Sequence, residues 1–257
     1  MPPSRAVLED ATFLTEGGDG ARRRMFFLET AKVRSVGART ACAIESASRL
    51  HPLWSVHYMQ ASTRFLSPFC PFARLLRTFG NDTILDLWLR EGAYKRSPYE
   101  TVHLSDGLRL GLLLKHGGVY VDFDVIFLRS LEDLGNAVVA CSADDTVTNN
   151  FFAFTARHPF IQECLESFAL DNTRRCRGVT LLPRSRLLPL NHTTAHLLFD
   201  AAAGPNVSAS FARSYLVHTF HSRTRNIPAE HGSFVERAAA ENCPRTFDLA
   251  RRLHGHF

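Results

Sequence analysis

Asp122 and Asp124 stand two residues apart directly after the apolar run Val119-Tyr120-Val121. The period of two along an extended chain places both carboxylates on one side. Such a pair suits a hard divalent cation, Mn²⁺ or Mg²⁺, which prefers oxygen ligands and keeps positions open for phosphate oxygens. A cation so held would neutralise charge on a departing diphosphate. An Asp-x-Asp pair is a short pattern, and it gains meaning from what surrounds it. Gly117-Gly118 precedes the apolar run, and one helix earlier Asp106 and Arg109 lie three residues apart, on one helix face. A carboxylate there can accept from sugar hydroxyls, and a guanidinium can contact sugar or phosphate. His218 ends the stretch Ser214-Tyr-Leu-Val-His218 and is a further cation or phosphate ligand by type. His221 is close enough in sequence to leave that assignment open.

The elements that must position these residues read as alternating strands and helices. Met25-Phe26-Phe27-Leu28 fits a buried strand and is followed by helical spacing at Ala43, Ile44, Ala47 and Leu50, ending before Pro52. Trp54 to Met59 reads as a second strand, Pro71 to Phe79 as a helix and Thr83 to Leu87 as a strand. Ser105 is expected to cap a helix with Leu108, Leu112 and Leu113 inward and Gly117 at its end. Strands are expected at 137–140 and 151–155, then a helix from Pro159 to Ala169 with proline at its first position. Beyond residue 170 the periodicity weakens, apart from strand character at 214–220. This order predicts an α/β fold with a mainly parallel central sheet flanked by helices. Residues 1–24, polar and containing Glu16-Gly-Gly-Asp-Gly20, read as a flexible lead-in, and residues 25–257 as one domain.

Composition narrows the function. Hydrophobic residues make up 45% and charged residues 21% of the 257, an ordinary globular balance. The net charge of +5 is scattered, with short clusters at Arg22-Arg23-Arg24 and Arg174-Arg175, which argues against a nucleic-acid partner. Six cysteines show no zinc spacing, and their even number is compatible with disulfides. Three sequons, at Asn81, Asn191 and Asn206, lean the same way, toward a secretory lumen. No apolar run reaches membrane-spanning length and Met1-Pro-Pro-Ser-Arg5 lacks a signal-peptide core, so any membrane anchor is expected outside this sequence.

The stretch Ser105-Asp106-Gly-Leu-Arg109 followed by Leu113-Leu-Lys-His-Gly117-Gly118-Val-Tyr120-Val-Asp122-Phe-Asp124 resembles the sugar-binding region of glycosyltransferases with an Asp-x-Asp motif, and more narrowly the alpha-1,4-glycosyltransferases. Phe26-Phe-Leu-Glu-Thr30, Cys42-Ala-Ile-Glu-Ser-Ala47, Asn149-Asn150, His158-Pro159-Phe160, Ser214-Tyr-Leu-Val-His218 and Cys243-Pro244-Arg245 agree with it. The resemblance implies a GT-A type nucleotide-sugar-binding fold, a UDP-sugar donor, Mn²⁺ or Mg²⁺, and retaining transfer of galactose or an N-acetylhexosamine to a galactose-terminated glycolipid or glycan. It also implies a lumenal domain of a Golgi type II membrane protein. By carry-over, Leu28, Glu29 and Thr30 border the uridine, Asp106 and Arg109 bind the donor sugar with Asn150 near it, and Asp122 and Asp124 hold the metal diphosphate; Tyr120 is added to the donor-binding set, and His218, by residue type, is the candidate further metal ligand. No catalytic nucleophile is assigned.

Two departures stand out. Between Asp171-Asn-Thr-Arg174 and Gly178-Val-Thr-Leu-Leu-Pro183 the family carries a His, Gly and Pro-rich segment and a helix, whereas this chain has only Arg175-Cys176-Arg177. The alternative expectation is therefore a relative impaired on its acceptor or diphosphate side. Phe220 stands where a tryptophan is usual.

Overall fold

The structure is a computed structural model and describes residues 23–31, 36–60, 91–92, 95, 98–135, 138–141, 147–170 and 179–257. The expected helix at 71–79, the strand at 83–87 and the shortened segment around residue 175 lie outside the described residues. So does most of the expected lead-in, although Arg24 already opens the first strand.

β1 (Arg24–Glu29) carries the Met25-to-Leu28 run, every side chain of which is buried, as a strand covered on both faces requires. It pairs in parallel with β2 (Ser55–Gln60) on one side and with β3 (Gly118–Val121) on the other. β3 continues into β6 (Val147–Phe154), then β5 (Val138–Cys141) and β7 (Thr180–Leu182), giving the order β2-β1-β3-β6-β5-β7. Both partners of β6 run antiparallel to it and β7 runs with β5, so β6 alone is reversed. The mainly parallel sheet expected from the sequence is thus present. Strand β6 begins earlier than its apolar residues suggested, because Thr148-Asn149-Asn150 are polar yet continue the pairing.

Helix α1 (Ala38–Leu50) buries Cys42, Ala43, Ser46 and Ala47, small residues that allow close approach to β4 (Val125–Phe127). Ser46 Oγ accepts the Phe127 N–H at 3.1 Å. At the end of α1 the fully buried His51 makes two bonds, with Ala47 O at 2.8 Å through Nδ1 and with the Leu131 N–H at 2.9 Å through Nε2. That pair of contacts makes Nδ1 the donor and Nε2 the acceptor, and the ring is neutral, in keeping with a pKa that burial lowers.

Helix α2 spans Glu100–His116 and so starts five residues before the expected cap. Ser105 is an interior residue whose hydroxyl accepts from Arg109 Nη2 at 3.0 Å, so it is not available to an orphan N–H at the helix start. Gly117 and Gly118 both have positive φ, +60° and +103°. A Cβ on Gly117 would stand 2.5 Å from Ala156 N, and one on Gly118 2.5 Å from Arg24 O. Bare backbone at both positions is what lets the chain turn from α2 directly into a strand seated between neighbours.

Helix α3 (Pro159–Leu170) packs on α2. The remaining chain forms short helices α4 (Arg184–Leu187), α5 (Gly204–Ser210) and α6 (His221–Thr224), with α7 (Phe234–Asn242) and α8 (Pro244–His254) following. Strand β8 is only Leu216–His218, shorter than the expected 214–220, because Thr219 and Phe220 turn away to bond with Asp124 and His218. β8 pairs antiparallel with β4, Val125 opposite His218. A disulfide joins Cys42 of α1 to Cys243 between α7 and α8. Beside it, Glu45 accepts the N–H groups of Arg245 at 3.1 Å and Thr246 at 2.8 Å, capping α8 from a different helix. Among the described residues no helix is long and apolar enough to cross a membrane.

Candidate active site

The parallel strands β1, β2 and β3 all end on one side of the sheet, and Asp122 follows immediately after β3. Carboxyl ends of strands are where open α/β sheets bind ligands. Asp122 is held there by its own N–H, which donates to Asn150 O at 3.0 Å. Its Oδ1 accepts from Tyr120 Oη at 2.8 Å and faces Arg109 Nη1 at 3.5 Å. Its Oδ2 lies 3.8 Å from His218 Nε2, and Asp124 Oδ1 lies 3.3 Å from the same nitrogen. The remaining Asp124 oxygen, Oδ2, accepts the His221 N–H at 2.8 Å. Each carboxylate therefore uses one oxygen for orientation and turns the other toward His218.

One ligand atom from each of Asp122, Asp124 and His218 lies within 4.8 Å of the other two. Two carboxylates and an imidazole are a donor set for Mn²⁺ or Mg²⁺ with open positions left for substrate oxygens. The β4–β8 pairing brings His218 here, because Val125, next to Asp124, is its register partner. His218 Nδ1 accepts from the Phe220 N–H at 3.2 Å, so Nε2 carries the ring proton toward the carboxylates; holding a cation through Nε2 would require that proton on Nδ1 and the Phe220 contact given up. His221 contributes its main-chain N–H to Asp124, while His218 is the histidine whose ring faces the acidic pair.

The charges are coupled. Burial would lower the His218 pKa, but Asp124 and Asp122 outweigh it and raise it. Burial would raise the Asp122 carboxyl, but the hydrogen bond with His218 and the charges of Arg109 and His218 outweigh it and hold it below the ordinary value.

Arg109 is buried, and each of its five N–H groups points at an acceptor. Nε faces Ser105 O at 3.3 Å, Nη1 faces Asn149 O at 2.5 Å and Asp122 Oδ1, and Nη2 faces Ser105 Oγ and Asp106 Oδ1, the last at 2.9 Å. Its guanidinium also lies 4.5 Å above the Tyr120 ring. The guanidinium thus ties the helix carboxylate to the strand carboxylate. Asp106 is raised above the usual carboxylate range, chiefly by burial, with Arg109 opposing. The side chain that reaches Asp106 is Asn149, whose Nδ2 donates to Oδ1 at 2.9 Å. Asn150 meets Asp122 through its main chain, and its own Oδ1 accepts from Thr148. Alternation along β6 separates the two asparagines, and only the strand's phase, not its composition, could have told them apart.

Beside Asp124 opens a cavity of about 770 Å³, lined among others by Glu29, Tyr58, Phe123, Arg39, His221 and Arg225. Of the β1-end residues singled out in the sequence, Glu29 lines it. Leu28 is buried in the sheet, and Thr30 Oγ1 donates to Thr101 O at 2.9 Å. Glu29 is raised by burial, against the Ala31 N–H that its carboxylate accepts at 2.7 Å. Tyr58 is pushed up to about 12 by burial and by Glu29. Arg39, Tyr58 and His256 were not foreseen as cavity residues.

Residues 37–140 match the sequence model of the glycosyltransferase sugar-binding region containing the DXD motif, and residues 169–250 match that of the alpha 1,4-glycosyltransferase conserved region. The chain belongs to the alpha-1,4-glycosyltransferase family. The α/β architecture, with one reversed strand in an otherwise parallel sheet and helices around it, is the mainly parallel arrangement that the GT-A expectation calls for. Mouse lactosylceramide 4-alpha-galactosyltransferase is 25% identical over 268 residues, which cover 86% of this chain and 74% of that protein. The human protein of the same name is 26% identical, covering 88% and 77%. Human alpha-1,4-N-acetylglucosaminyltransferase is 24% identical, covering 91% and 83%. Among solved structures, the PaToxG glycosyltransferase matches with a TM-score of 0.44 and 15% identity over 58% of this chain and 61% of that one. The alignment with the mouse member is longer than this whole chain of 257 residues, so that member carries segments without a counterpart here.

Proposed function

We propose that this alpha-1,4-glycosyltransferase family member is a metal-dependent, retaining transferase. It passes a hexose such as galactose, or an N-acetylhexosamine, from a UDP-sugar to a galactose-terminated glycolipid or glycan, forming an alpha-1,4 linkage. The observation that carries the reading is the convergence of Asp122, Asp124 and His218 beside the Asp106–Arg109–Asn149 cluster and next to the cavity at the end of β1.

In this reading Asp122 Oδ2, Asp124 Oδ1 and His218 Nε2 hold Mn²⁺ or Mg²⁺. When bound, the cation supplies charge neutralisation for the departing diphosphate. Glu29 and Tyr58, with the neighbouring Leu28 and Thr30 main chain, border the uridine. Asp106, held by Arg109 and Asn149, accepts from hydroxyls of the donor sugar, with Tyr120 fixing Asp122 beneath it and Asn150 alongside. Transfer forms a bond from the acceptor hydroxyl oxygen to C1 of the sugar and breaks the bond from C1 to the diphosphate oxygen. The diphosphate leaves on the face that the acceptor enters and takes its proton, so no protein nucleophile is needed. The Cys42–Cys243 disulfide supports a lumenal, oxidising setting such as the Golgi.

UDP release from UDP-galactose, UDP-GlcNAc and UDP-GalNAc, with and without Mn²⁺, tests this against Asp124→Ala. Equal release by parent and variant removes the proposal. The relatives' additional segments favour a second reading, a donor-binding protein impaired in transfer. Mn²⁺-dependent UDP binding without acceptor-dependent turnover would select it.

A further inference from the structure

Arg39, in the first turn of α1, lines the cavity next to Asp124, yet the donor site as described gives it no task. Among the described residues its guanidinium has no carboxylate within ion-pair distance. It is spent instead on neutral acceptors 185 and 188 residues away in sequence. Nη1 donates to Thr224 O and to Thr224 Oγ1, both at 3.0 Å, and Nη2 donates to Ile227 O at 2.8 Å. The cationic carbon lies 4.5 Å over the Phe199 ring. Placing a charge against uncharged groups is costly, and burial pulls its pKa below the ordinary arginine value, with the field of Asp124 opposing.

What those bonds hold is the turn that orients Asp124. Thr224 Oγ1, while accepting from Arg39, donates to Thr219 O at 2.7 Å. Thr219 in turn donates to Asp124 O twice, from its N–H at 2.8 Å and its Oγ1 at 2.9 Å. The same turn presents the His221 N–H to Asp124 Oδ2. At its centre Phe220 has φ 52° and ψ 57°, a left-handed conformation that is unfavourable for a residue with a Cβ and needs support from its surroundings.

We infer that Arg39 is a positioning residue for the cation site: by clamping residues 219–227 to α1 it keeps Asp124 Oδ2 on the His221 N–H and Oδ1 turned toward Asp122 and His218. This rests on the metal-site reading above. A positioning role and a simple charge effect have opposite signs. Removing a nearby positive charge alone strengthens cation binding, whereas loosening the turn weakens it.

The test is Mn²⁺ binding to the purified full chain without any nucleotide, read from the free-ion EPR signal. Parent, Asp124→Asn, Arg39→Met, Arg39→Lys and Thr224→Val are compared. Arg39→Met is expected to weaken Mn²⁺ about 10-fold, the usual scale for losing an outer-shell partner. Arg39→Lys keeps the charge but not the planar fork and recovers only part of the loss. Thr224→Val, which breaks the relay to Thr219 while leaving the Arg39 bonds to main-chain carbonyls, also weakens binding. Unchanged or tighter Mn²⁺ binding in folded Arg39→Met overturns the inference. Should that variant fail to fold, unchanged binding in Thr224→Val overturns it instead. A parent that binds no Mn²⁺ removes the metal-site reading and this inference with it, while a binding parent matched by both variants removes this inference alone.

Discussion

Arg109 and Tyr120 converge on the same atom, Oδ1 of Asp122, while the guanidinium of the first lies 4.5 Å over the ring of the second. One residue comes from a helix and the other from a strand, so the contact locks α2 to β3 at the point where the strand hands over to the acidic pair. The phenol is buried and held far above its ordinary pKa, chiefly by burial, and so serves as a fixed donor to the carboxylate.

Tyr120→Phe keeps the ring beneath Arg109 and deletes only the hydroxyl. Asp122 then loses its shortest bond, and Mn²⁺ affinity is expected to fall about 10-fold. Thermal unfolding should register a loss of about 1 kcal/mol, the net worth of one buried hydrogen bond. Unaltered Mn²⁺ titration would show that Arg109 alone orients the carboxylate.

Gly118→Ala places a methyl 2.5 Å from the Arg24 carbonyl oxygen at a φ of +103°. Backbone on the adjacent strand cannot move aside as a side chain would, so a loss of more than about 2 kcal/mol is expected in urea unfolding. Gly135→Ala, with nothing within 4 Å of the new Cβ, is the control and should be close to neutral.

Reducing the disulfide, or replacing both Cys42 and Cys243 by serine, frees residues separated by 201 positions. The loss of that constraint on the unfolded chain is expected to cost about 3–5 kcal/mol. Thermal unfolding with and without dithiothreitol measures it directly, and an unchanged midpoint would assign the hold on α8 to the Glu45 cap.

Stability is expected to fall between pH 6.5 and 4 because of two histidines packed around Phe26. His57 and His116 have pKa values lowered from 6.5 to about 4, first by burial and then by the charge of Arg24. Above 6.5 both rings are neutral in folded and unfolded chains, and they add no pH dependence. Below it the unfolded chain binds protons that the fold refuses, so each histidine removes up to about 1.4 kcal/mol per pH unit until its folded pKa is reached. His57 Nε2 is buried without a hydrogen-bond partner among the described residues, so a proton on that nitrogen would find no acceptor there. Midpoints at pH 7.5 and 6.5 should differ little and those at 5.5 and 4.5 should decline, and His57→Gln should flatten the decline; an equally steep variant would exclude His57 as the source.

Much of the site could be read from the sequence because side-chain chemistry and chain period coincide there. Asp106 and Arg109 share a helix face, Asp122 and Asp124 follow an apolar strand, and the two glycines between them answer to backbone collisions on both sides. The contribution of His221 could not be read, since it acts through a main-chain N–H that any residue but proline supplies. Arg39 was equally silent, because its partners are carbonyls and a hydroxyl far along the chain. The C-terminal helices went unassigned although their starts carry signals. Ser233 accepts the Glu236 N–H in a Ser-x-x-Glu capping pattern, and Pro244 opens α8. Their apolar faces are narrow, Phe247 and Ala250 being the buried residues of α8, and the register of so sparse a stripe is hard to see without its partner.

Cys42-Ala-Ile-Glu45 and Cys243-Pro-Arg245, which look like unrelated scraps of sequence, are two halves of one fastening. The last helix brings His254, His256 and Phe257 to the cavity wall, and it is fastened there by the Cys42–Cys243 disulfide and by Glu45 accepting the Arg245 and Thr246 N–H groups. A chain still being synthesised therefore has its acidic pair in hand long before it has a closed chamber. One wall of the cleft comes from residues made well after the acidic pair, and a nascent chain that stalls before Cys243 would present Asp122 and Asp124 beside a cavity with that wall missing.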